Sequence, residues 1–207
     1  MVTAGPCRET IDPVRFISNR SSGKMGYALA RSAVESGAEV VLISGPTSLP
    51  APSGLTFHTV ETTQQMYEAV SREFESCDCL IMAAAPADYR PARPSDTKLK
   101  KRADALALEL VPTVDILREM GLRKRPGQVL VGFALETDHG LVNAREKLRA
   151  KNLDMVVLNS PSDPHSAFDH DTNQVTIIVP GAKPRSLDLM PKSELAIVLL
   201  DAIARML

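Results

Sequence analysis

A run of small, hydroxyl-bearing and basic residues near the N-terminus has the composition of a phosphate-binding loop. Ser18-Asn19-Arg20-Ser21-Ser22-Gly23-Lys24-Met25-Gly26 leads into a helical pattern, and small residues let backbone N–H groups approach an anion at a helix N-terminus. A helix capped by Ser21 and Ser22, with a glycine packed against a strand, explains the same residues equally well. The run is neither a P-loop nor a G-x-G-x-x-G motif, because Ser18 and Met25 stand where those patterns need other residues. Local spacing therefore leaves both readings open.

A second candidate follows an apolar stretch in the middle of the chain. Ala84-Ala85-Pro86-Ala87-Asp88 places a carboxylate just beyond a predicted strand, where it could bind a substrate or a metal-linked phosphate. A turn-forming aspartate is the plainer explanation. Lys98 lies in the proline-rich stretch that follows, and a lysine on a closing loop can offset phosphate charge. A solvated basic run is the commoner reason for such a segment.

Two lysines on a predicted helix form a third candidate. Lys147 and Lys151 are four residues apart and share a helix face, which suits a polyphosphate, although exposed surface lysines at this spacing are more common. Phe133 could stack on a base, but filling the core is the simpler role. The histidines (His58, His139, His165 and His170) lack metal-ligand spacing, and no residue near Cys7 explains a lowered thiol pKa.

Composition excludes several classes of protein. The chain has 207 residues, 44% hydrophobic and 24% charged, with a formal net charge of −1. It has no apolar run long enough for a membrane helix and no basic field for nucleic acid. Its three cysteines form neither a disulfide framework nor a zinc motif, so a cytoplasmic protein is expected. No secretory signal is visible, and whether Met1 is the native start or follows the cut end of a longer chain stays open.

Helical and apolar stretches alternate along the chain. The pattern predicts a three-layer, Rossmann-like α/β fold with a mostly parallel central sheet, formed by one domain over residues 1–207. Predicted helices cover residues 21–36, 63–76, 115–120, 143–151 and 191–207. Predicted strands cover residues 39–43, 79–84, 106–110, 128–133 and 154–158, and a C-terminal β-hairpin pairs residues 173–179 with residues 186–189 around Pro180-Gly181.

The stretch between residues 85 and 103 changes character. Its prolines and basic residues predict a long mobile loop, and loops of that length usually have a function. Ligands bind beyond the carboxyl ends of the strands in an open α/β sheet. Residues 5–24, 83–101 and 132–137 are therefore expected to meet there.

Taken together, these motifs resemble those of the bacterial type of the phosphopantothenoylcysteine synthetase family. The similarity spans nearly the whole chain, and the first long motif is its most specific part. The residues that carry the resemblance are Thr3-Ala4-Gly5-Pro6, Arg8-Glu9, Ile11-Asp12-Pro13-Val14-Arg15, Ser18-Asn19-Arg20-Ser21-Ser22-Gly23-Lys24-Met25-Gly26, Ala87-Asp88-Tyr89-Arg90, Lys98-Leu99-Lys100-Lys101, Gly132-Phe133-Ala134-Leu135-Glu136-Thr137 and Lys151-Asn152-Leu153-Asp154.

The resemblance implies a CTP-dependent ligase of coenzyme A biosynthesis. In that reaction 4'-phosphopantothenate and CTP form an acyl-cytidylate with release of pyrophosphate, and L-cysteine then displaces CMP. It also implies Mg²⁺ bound with CTP, a homodimer, and fusion of this part to a flavin-dependent decarboxylase in a longer protein. Positioning and phosphate-charge stabilisation suffice for such chemistry, without a protein nucleophile.

The resemblance also implies roles for individual residues. Asn19 would hold the acyl-cytidylate for the second step, and Lys98 would close over the nucleotide in the first. No metal ligand is assigned. Expected nucleotide-binding residues are Gly5, Ser21, Gly23, Gly26, Met82, Ala83, Ala84, Asp88, Lys98, Phe133, Lys147, Lys151 and Asn159. Expected substrate-binding residues are Asn19, Ala84, Ala85 and Asp88.

The sequence departs from the family pattern at a few places and leaves two other functions open. Cys7 stands where relatives usually have threonine, Pro86 interrupts a run of small residues, and Val111-Pro112-Thr113-Val114 replaces Lys-Asn-Pro before an aspartate. An NAD(P)-dependent reductase fits the α/β pattern, but Ser44-Gly45-Pro46 stands where its acidic ribose ligand is expected. A nucleotide-sensing module would bind without turnover.

Overall fold

The computed structural model describes residues 1–101, 105–159 and 170–207. The strands in these ranges are β1 (Val2–Ala4), β2 (Arg8–Thr10), β3 (Phe16–Ser18), β4 (Val41–Ser44), β5 (Thr56–Thr59), β6 (Cys79–Met82), β7 (Tyr89–Pro91), β8 (Leu110–Pro112), β9 (Val129–Leu135), β10 (Met155–Asn159), β11 (Thr172–Asn173), β12 (Val175–Ile178), β13 (Arg185–Ser186) and β14 (Met190–Pro191). The helices are α1 (Lys24–Glu35), α2 (Thr63–Glu73), α3 (Ile116–Arg123), α4 (Gly140–Ala150) and α5 (Lys192–Ala204).

The central sheet of the described residues has eight strands in the order β13-β12-β10-β9-β6-β1-β4-β5. The strands from β10 to β5 pair in parallel, whereas β12 and β13 add in antiparallel fashion at one edge. This arrangement confirms the predicted mostly parallel sheet and its C-terminal hairpin extension. Strands β9 and β10 are almost entirely buried, as continuous apolar runs predict.

Helices cover both faces of this sheet. One apolar core includes Leu29 of α1 and Leu195 of α5, and the other includes Met66 of α2, Met120 of α3 and Leu148 of α4. The predicted three-layer, Rossmann-like architecture is therefore confirmed. Most predicted helices and strands are present, with ends that differ by a few residues. No helix among the described residues is long and apolar enough to span a membrane.

The start of α1 differs from the prediction. Ser21 and Ser22 do not cap the helix, which begins at Lys24 after a left-handed Gly23 with φ of 79°. The Ser21 hydroxyl instead accepts a hydrogen bond from the N–H of Gly23 at 3.3 Å, before the first helical turn. The predicted stop is confirmed, because Gly37 adopts φ of 85° just beyond the helix.

The predicted strand over residues 106–110 is wrong. Leu106 and Leu108 are 61% and 40% exposed, because the alternating leucines have no apolar surface to cover. A strand, β8, begins only at Leu110 and pairs with β7. The segment predicted as one long loop, residues 85–103, contains the strand β7. Its residues Arg102 and Ala103 lie outside the described residues. The sequence reading also missed the β2–β3 hairpin, β5 and the short β11–β14 pair.

Candidate functional site

A cleft of about 580 Å³ lies at the carboxyl ends of the central strands. It extends from the N-terminus of α1, over the ends of β6, β9 and β10, to α3 and α4. The expected site residues that line it are Asn19, Ser21, Gly23, Gly26, Met82, Ala83, Ala84, Ala85, Asp88, Phe133, Lys147, Lys151 and Asn159. The predicted meeting of three chain segments at this edge of the sheet is confirmed.

Two glycines let α1 reach the cleft. A Cβ on Gly23 would lie 2.7 Å from Cγ2 of Thr47, and one on Gly26 would lie 2.6 Å from Cβ of Ala4 on β1. Real Cβ atoms do not approach so closely, so only glycine allows this packing. The N–H groups of the first helical turn, together with the positive end of the helix dipole, therefore lie beside the cleft and suit an anion.

Gly5 acts behind the cleft rather than in its lining. It has φ of 74°, and the backbone of Gly5 lies within 3.3 Å of the position of a Cβ on Gly23. Its carbonyl accepts from the N–H of Ala85 at 2.9 Å. Gly5 thus holds two cleft segments together, and its expected contact with the nucleotide stays a prediction.

Asn19 joins the first loop to the segment after β6. Its Nδ2 donates to the carbonyls of Ala85 at 3.2 Å and Pro86 at 2.9 Å. Both carbonyls belong to the Ala-Ala-Pro stretch at the cleft. The side-chain amide is exposed and lies where a substrate carbonyl or phosphate could compete for these bonds.

Lys147 of α4 and Lys151 directly after this helix line the cleft and are partly buried, so the plainer reading of both residues as exposed surface lysines is wrong. Lys147 Nζ donates to the carbonyl of Phe133 at 2.7 Å. Burial, reinforced by the nearby charge of Lys151, lowers the pKa of Lys147. Phe133 is partly buried, packs against one apolar core and also lines the cleft, so both expected roles of this ring stay open. Two cations beside an aromatic ring can bind a nucleotide.

Asp88 is an exposed residue that lines the cleft. Its backbone carbonyl accepts from the N–H of Thr113 at 2.9 Å, and the Thr113 hydroxyl donates to the carbonyl of Ala87 at 2.6 Å. These two hydrogen bonds hold residues 111–114, where this chain departs from the family pattern, next to Asp88. Within the described residues, no group of three or more His, Cys, Asp or Glu residues could hold a metal ion by itself.

Sequence reasoning missed several residues of the cleft. They are Thr113, Val114, Asp115, Asn173 and Lys192. Asp115 carried a detectable signal, since an aspartate directly before a helical pattern is a common N-cap, and its side chain accepts from the N–H of Arg118 at 3.1 Å. Asn173 and Lys192 had none, because the short β11–β14 pairing brings them to the cleft.

Lys98 is an expected site residue that lies outside the cleft lining. It is exposed and does not line the cleft, and the neighbouring Leu99 is bonded instead to Asp12. Cys7 is fully buried, and burial raises its thiol pKa to about 12. A buried, protonated thiol is a poor nucleophile.

The whole chain, residues 1–207, matches the family model described as the DNA/pantothenate metabolism flavoprotein C-terminal domain. The chain belongs to this family. A family relative, the coenzyme A biosynthesis bifunctional protein CoaBC of Bacillus subtilis, is 48% identical over 99% of this chain and 50% of its own length. A cysteine/cysteine sulfinic acid decarboxylase from an unknown prokaryotic organism is 47% identical over 94% of this chain and 55% of its own length.

A solved structure of the same family has the same fold. The crystal structure of the C-terminal domain of coenzyme A biosynthesis bifunctional protein CoaBC superposes with a TM-score of 0.84 and 44% identity, covering 99% of this chain and 92% of that one. The chain spans about half the length of the curated relatives named above. The match to the CoaBC structure shows that it corresponds to the C-terminal part of CoaBC.

Proposed function

We propose that this chain ligates 4'-phosphopantothenate to L-cysteine at the expense of CTP. The observation that carries the proposal is one cleft that combines the N-terminus of α1, the Asn19 amide and the Lys147–Lys151 pair. A helix N-terminus and two lysines suit the phosphates of a nucleotide, and an amide suits an acyl group. The similarity to CoaBC, named for coenzyme A biosynthesis, points to the same reaction.

In the first step, a carboxylate oxygen of 4'-phosphopantothenate attacks the α-phosphorus of CTP, and the bond to the β-phosphate oxygen breaks. Pyrophosphate leaves, and its charge is balanced by the N–H groups of α1 and by the cations around the cleft. Phe133 and Lys147 would contact the nucleotide. The Lys98 side chain, which is exposed and lies outside the cleft lining, would change its own conformation to reach the reacting phosphate.

In the second step, the amine of L-cysteine attacks the acyl carbon of the cytidylate and CMP leaves. Asn19 would hold the acyl group by its amide, exchanging a bond to Ala85 or Pro86 for one to the intermediate. No protein nucleophile takes part, which agrees with the buried, protonated thiol of Cys7. The protein contributes position and electrostatics to both steps.

Mg²⁺ is part of this proposal as a companion of the CTP phosphates. Asp88 fits such an ion, because it is an exposed carboxylate at the cleft and oxygen is the ligand that Mg²⁺ prefers. The ion would neutralise phosphate charge and would take most of its ligands from the nucleotide and water. A homodimer, fusion to a decarboxylase in a longer chain, a single domain and a cytoplasmic location also remain proposals.

The test is pyrophosphate release from CTP or ATP, with and without 4'-phosphopantothenate and L-cysteine. We expect release that depends on 4'-phosphopantothenate, prefers CTP and yields ligated product only with L-cysteine. Nucleotide binding without release, by folded protein, would favour a sensing module, and oxidation of NAD(P)H would favour a reductase. Either result would overturn the ligase.

A further inference from the structure

Asp12 is a carboxylate without solvent exposure, although it lies in a surface turn between β2 and β3. Its side chain is 0% exposed. One oxygen, Oδ1, accepts from the N–H groups of Val14 at 2.9 Å and Arg15 at 2.8 Å. The other, Oδ2, accepts from Nε of Arg15 and the N–H of Leu99, each at 3.0 Å, and also from Nη2 of Arg15. The two oxygens therefore have separate tasks, one inside the turn and one across to a distant segment.

The distant segment is held at several points. Leu99 is bound through both of its backbone groups, because its N–H reaches Asp12 and its carbonyl accepts from Nη2 of Arg15 at 2.6 Å. The N–H of Ser95 donates to the carbonyl of Ile11 at 2.9 Å. We refer to the contacts of Asp12 and Arg15 with Leu99 as the Leu99 clamp.

Charge strengthens the clamp. The Arg15 guanidinium holds the pKa of Asp12 well below its usual range against the opposing effect of burial, and the N–H groups of Val14, Leu99 and Arg15 add to it. Asp12 is therefore ionised at neutral pH, and hydrogen bonds to an ionised group are stronger than neutral ones. A buried carboxylate that accepts from five donor groups is a fixed anchor.

The residue next to the clamp is Lys98. Consecutive Cα atoms are about 3.8 Å apart, so fixing the backbone of Leu99 also restricts the backbone of Lys98. The Lys98 side chain itself is exposed. With its backbone held, the lysine loses less conformational entropy when it reaches the nucleotide than a lysine on an unrestrained loop.

We propose that Asp12 is a positioning residue for Lys98, acting through the Leu99 clamp. The proposal rests on the proposed function, in which Lys98 serves the first step and Asn19 the second. Asp12 then matters for pyrophosphate release and not for attack by cysteine. A merely structural role in the β2–β3 hairpin affects both steps alike, which separates the two explanations.

The variant Asp12→Asn removes the Asp12 part of the clamp and leaves the bond from Arg15 to the Leu99 carbonyl. An asparagine keeps an oxygen for the N–H groups of Val14 and Arg15, but its NH₂ group in the place of Oδ2 cannot accept from Leu99 or from the guanidinium. Asp96→Asn is the matched control, because Asp96 is an exposed carboxylate on the same segment. If Asp12→Asn fails to fold, Leu99→Pro removes the clamped N–H and leaves Asp12 intact.

Hydrogen exchange tests the clamp without any substrate. In Asp12→Asn we expect the Leu99 amide to exchange at least about tenfold faster than in the parent protein, since its acceptor is lost, with Asp96→Asn unchanged. Equal Leu99 exchange in the parent and in Asp12→Asn would overturn the clamp, whatever the enzyme does. This measurement remains informative even if the proposed function fails.

Half-reactions test the positioning role. Pyrophosphate release from CTP and 4'-phosphopantothenate should fall by about 10- to 100-fold in Asp12→Asn, in the range of a misplaced catalytic group. Reaction of cysteine with synthetic 4'-phosphopantothenoyl-CMP should change less than about twofold, since well-separated sites act independently. Equal losses in both half-reactions, or none in the first, would overturn the proposal. A parent protein inactive in both would overturn the proposed function, while exchange at Leu99 still reports the clamp.

Discussion

Lys151 and Asp115 join α4 to α3 at the rim of the cleft, with Lys151 Nζ 2.7 Å from Asp115 Oδ2. The same carboxylate caps α3 through its other oxygen, which accepts from the N–H of Arg118. Burial raises the pKa of Asp115, but the bonds from Lys151 and Arg118 outweigh it, so the pKa is lowered overall. The carboxylate at the N-terminus of α3 therefore holds the Lys151 side chain, which lies at the C-terminal end of α4.

Replacing Lys151 by methionine should weaken nucleotide binding. Loss of a charge-assisted phosphate contact corresponds to roughly a tenfold rise in the KM for CTP, since such contacts contribute about 1.5–3 kcal/mol. Arg149→Met is the matched control, because Arg149 is exposed on α4 and does not line the cleft. Steady-state kinetics with CTP measures both variants. Equal KM values would remove Lys151 from the nucleotide site.

Lys98→Gln should abolish formation of the acyl-cytidylate, because the first step loses the cation expected over the reacting phosphate. The side chain is exposed, so the free energy of unfolding should change by less than about 0.5 kcal/mol. Lys100→Gln, also exposed and two residues away, is the control. Pyrophosphate release is the readout, and normal release by Lys98→Gln contradicts the assigned role.

Asn19→Asp should permit CTP cleavage but block ligation. The new carboxylate cannot donate to the carbonyls of Ala85 and Pro86 and is repelled by them, so the group that should hold the acyl-cytidylate is displaced. Quenched reactions analysed by mass spectrometry should show the intermediate accumulating in the presence of cysteine. Appearance of ligated product at the parent rate removes Asn19 from the second step.

Gly26→Ala should damage the cleft through packing. Its Cβ would lie 2.6 Å from Cβ of Ala4 and 2.8 Å from the carbonyl oxygen of Thr3, so α1 must move away from β1. Overpacking of this kind costs about 1–3 kcal/mol of unfolding free energy. Gly37→Ala meets nothing within 4 Å, and its left-handed φ costs about 1–2 kcal/mol.

Urea denaturation and pyrophosphate release distinguish these two glycine variants. Both should be destabilised, but only Gly26→Ala should lose activity in the folded protein, because Gly37 lies at the far end of α1. Full activity of folded Gly26→Ala would show that pyrophosphate release does not depend on the exact position of the α1 N-terminus.

The thiols Cys7 and Cys79 should resist alkylation in the native protein. Burial raises the pKa of each to about 12. At pH 8 their thiolate fraction should be on the order of a thousandfold smaller than in the unfolded chain, where a cysteine pKa is near 8.5. Iodoacetamide labelling with and without urea, followed by peptide mass spectrometry, checks this. Rapid native labelling of Cys7 would reopen a nucleophilic role.

Patterns of hydrophobicity predicted the layers of the fold well. The apolar runs that became β9 and β10 are buried, and Leu195 and Leu199 of α5 lie in the core as their spacing indicates. The strand expected over residues 106–110 failed for a related reason. Alternation shows only that a strand could form, whereas a strand also needs a neighbour to bond and a surface to cover.

The sequence by itself determined the order of the helices and of most strands of the central sheet, the place of the first loop before α1, and a set of residues suited to phosphate chemistry. Local pattern decides these, because periodicity and glycine positions act within a few residues. It could not decide whether Lys147 and Lys151 face solvent or a cleft, because that depends on which face of α4 packs against β10 and β9.

Tertiary structure decided the contacts between segments far apart in the chain. Leu99 meets Asp12 across 87 positions, and Lys192 reaches the cleft only because β14 pairs with β11. Such pairings are selected by the free energy of the whole packed chain, in which each contact must offset the entropy of closing a long loop. A sequence of residue types does not state which distant partners satisfy that balance, so these parts of the site emerged only from the folded structure.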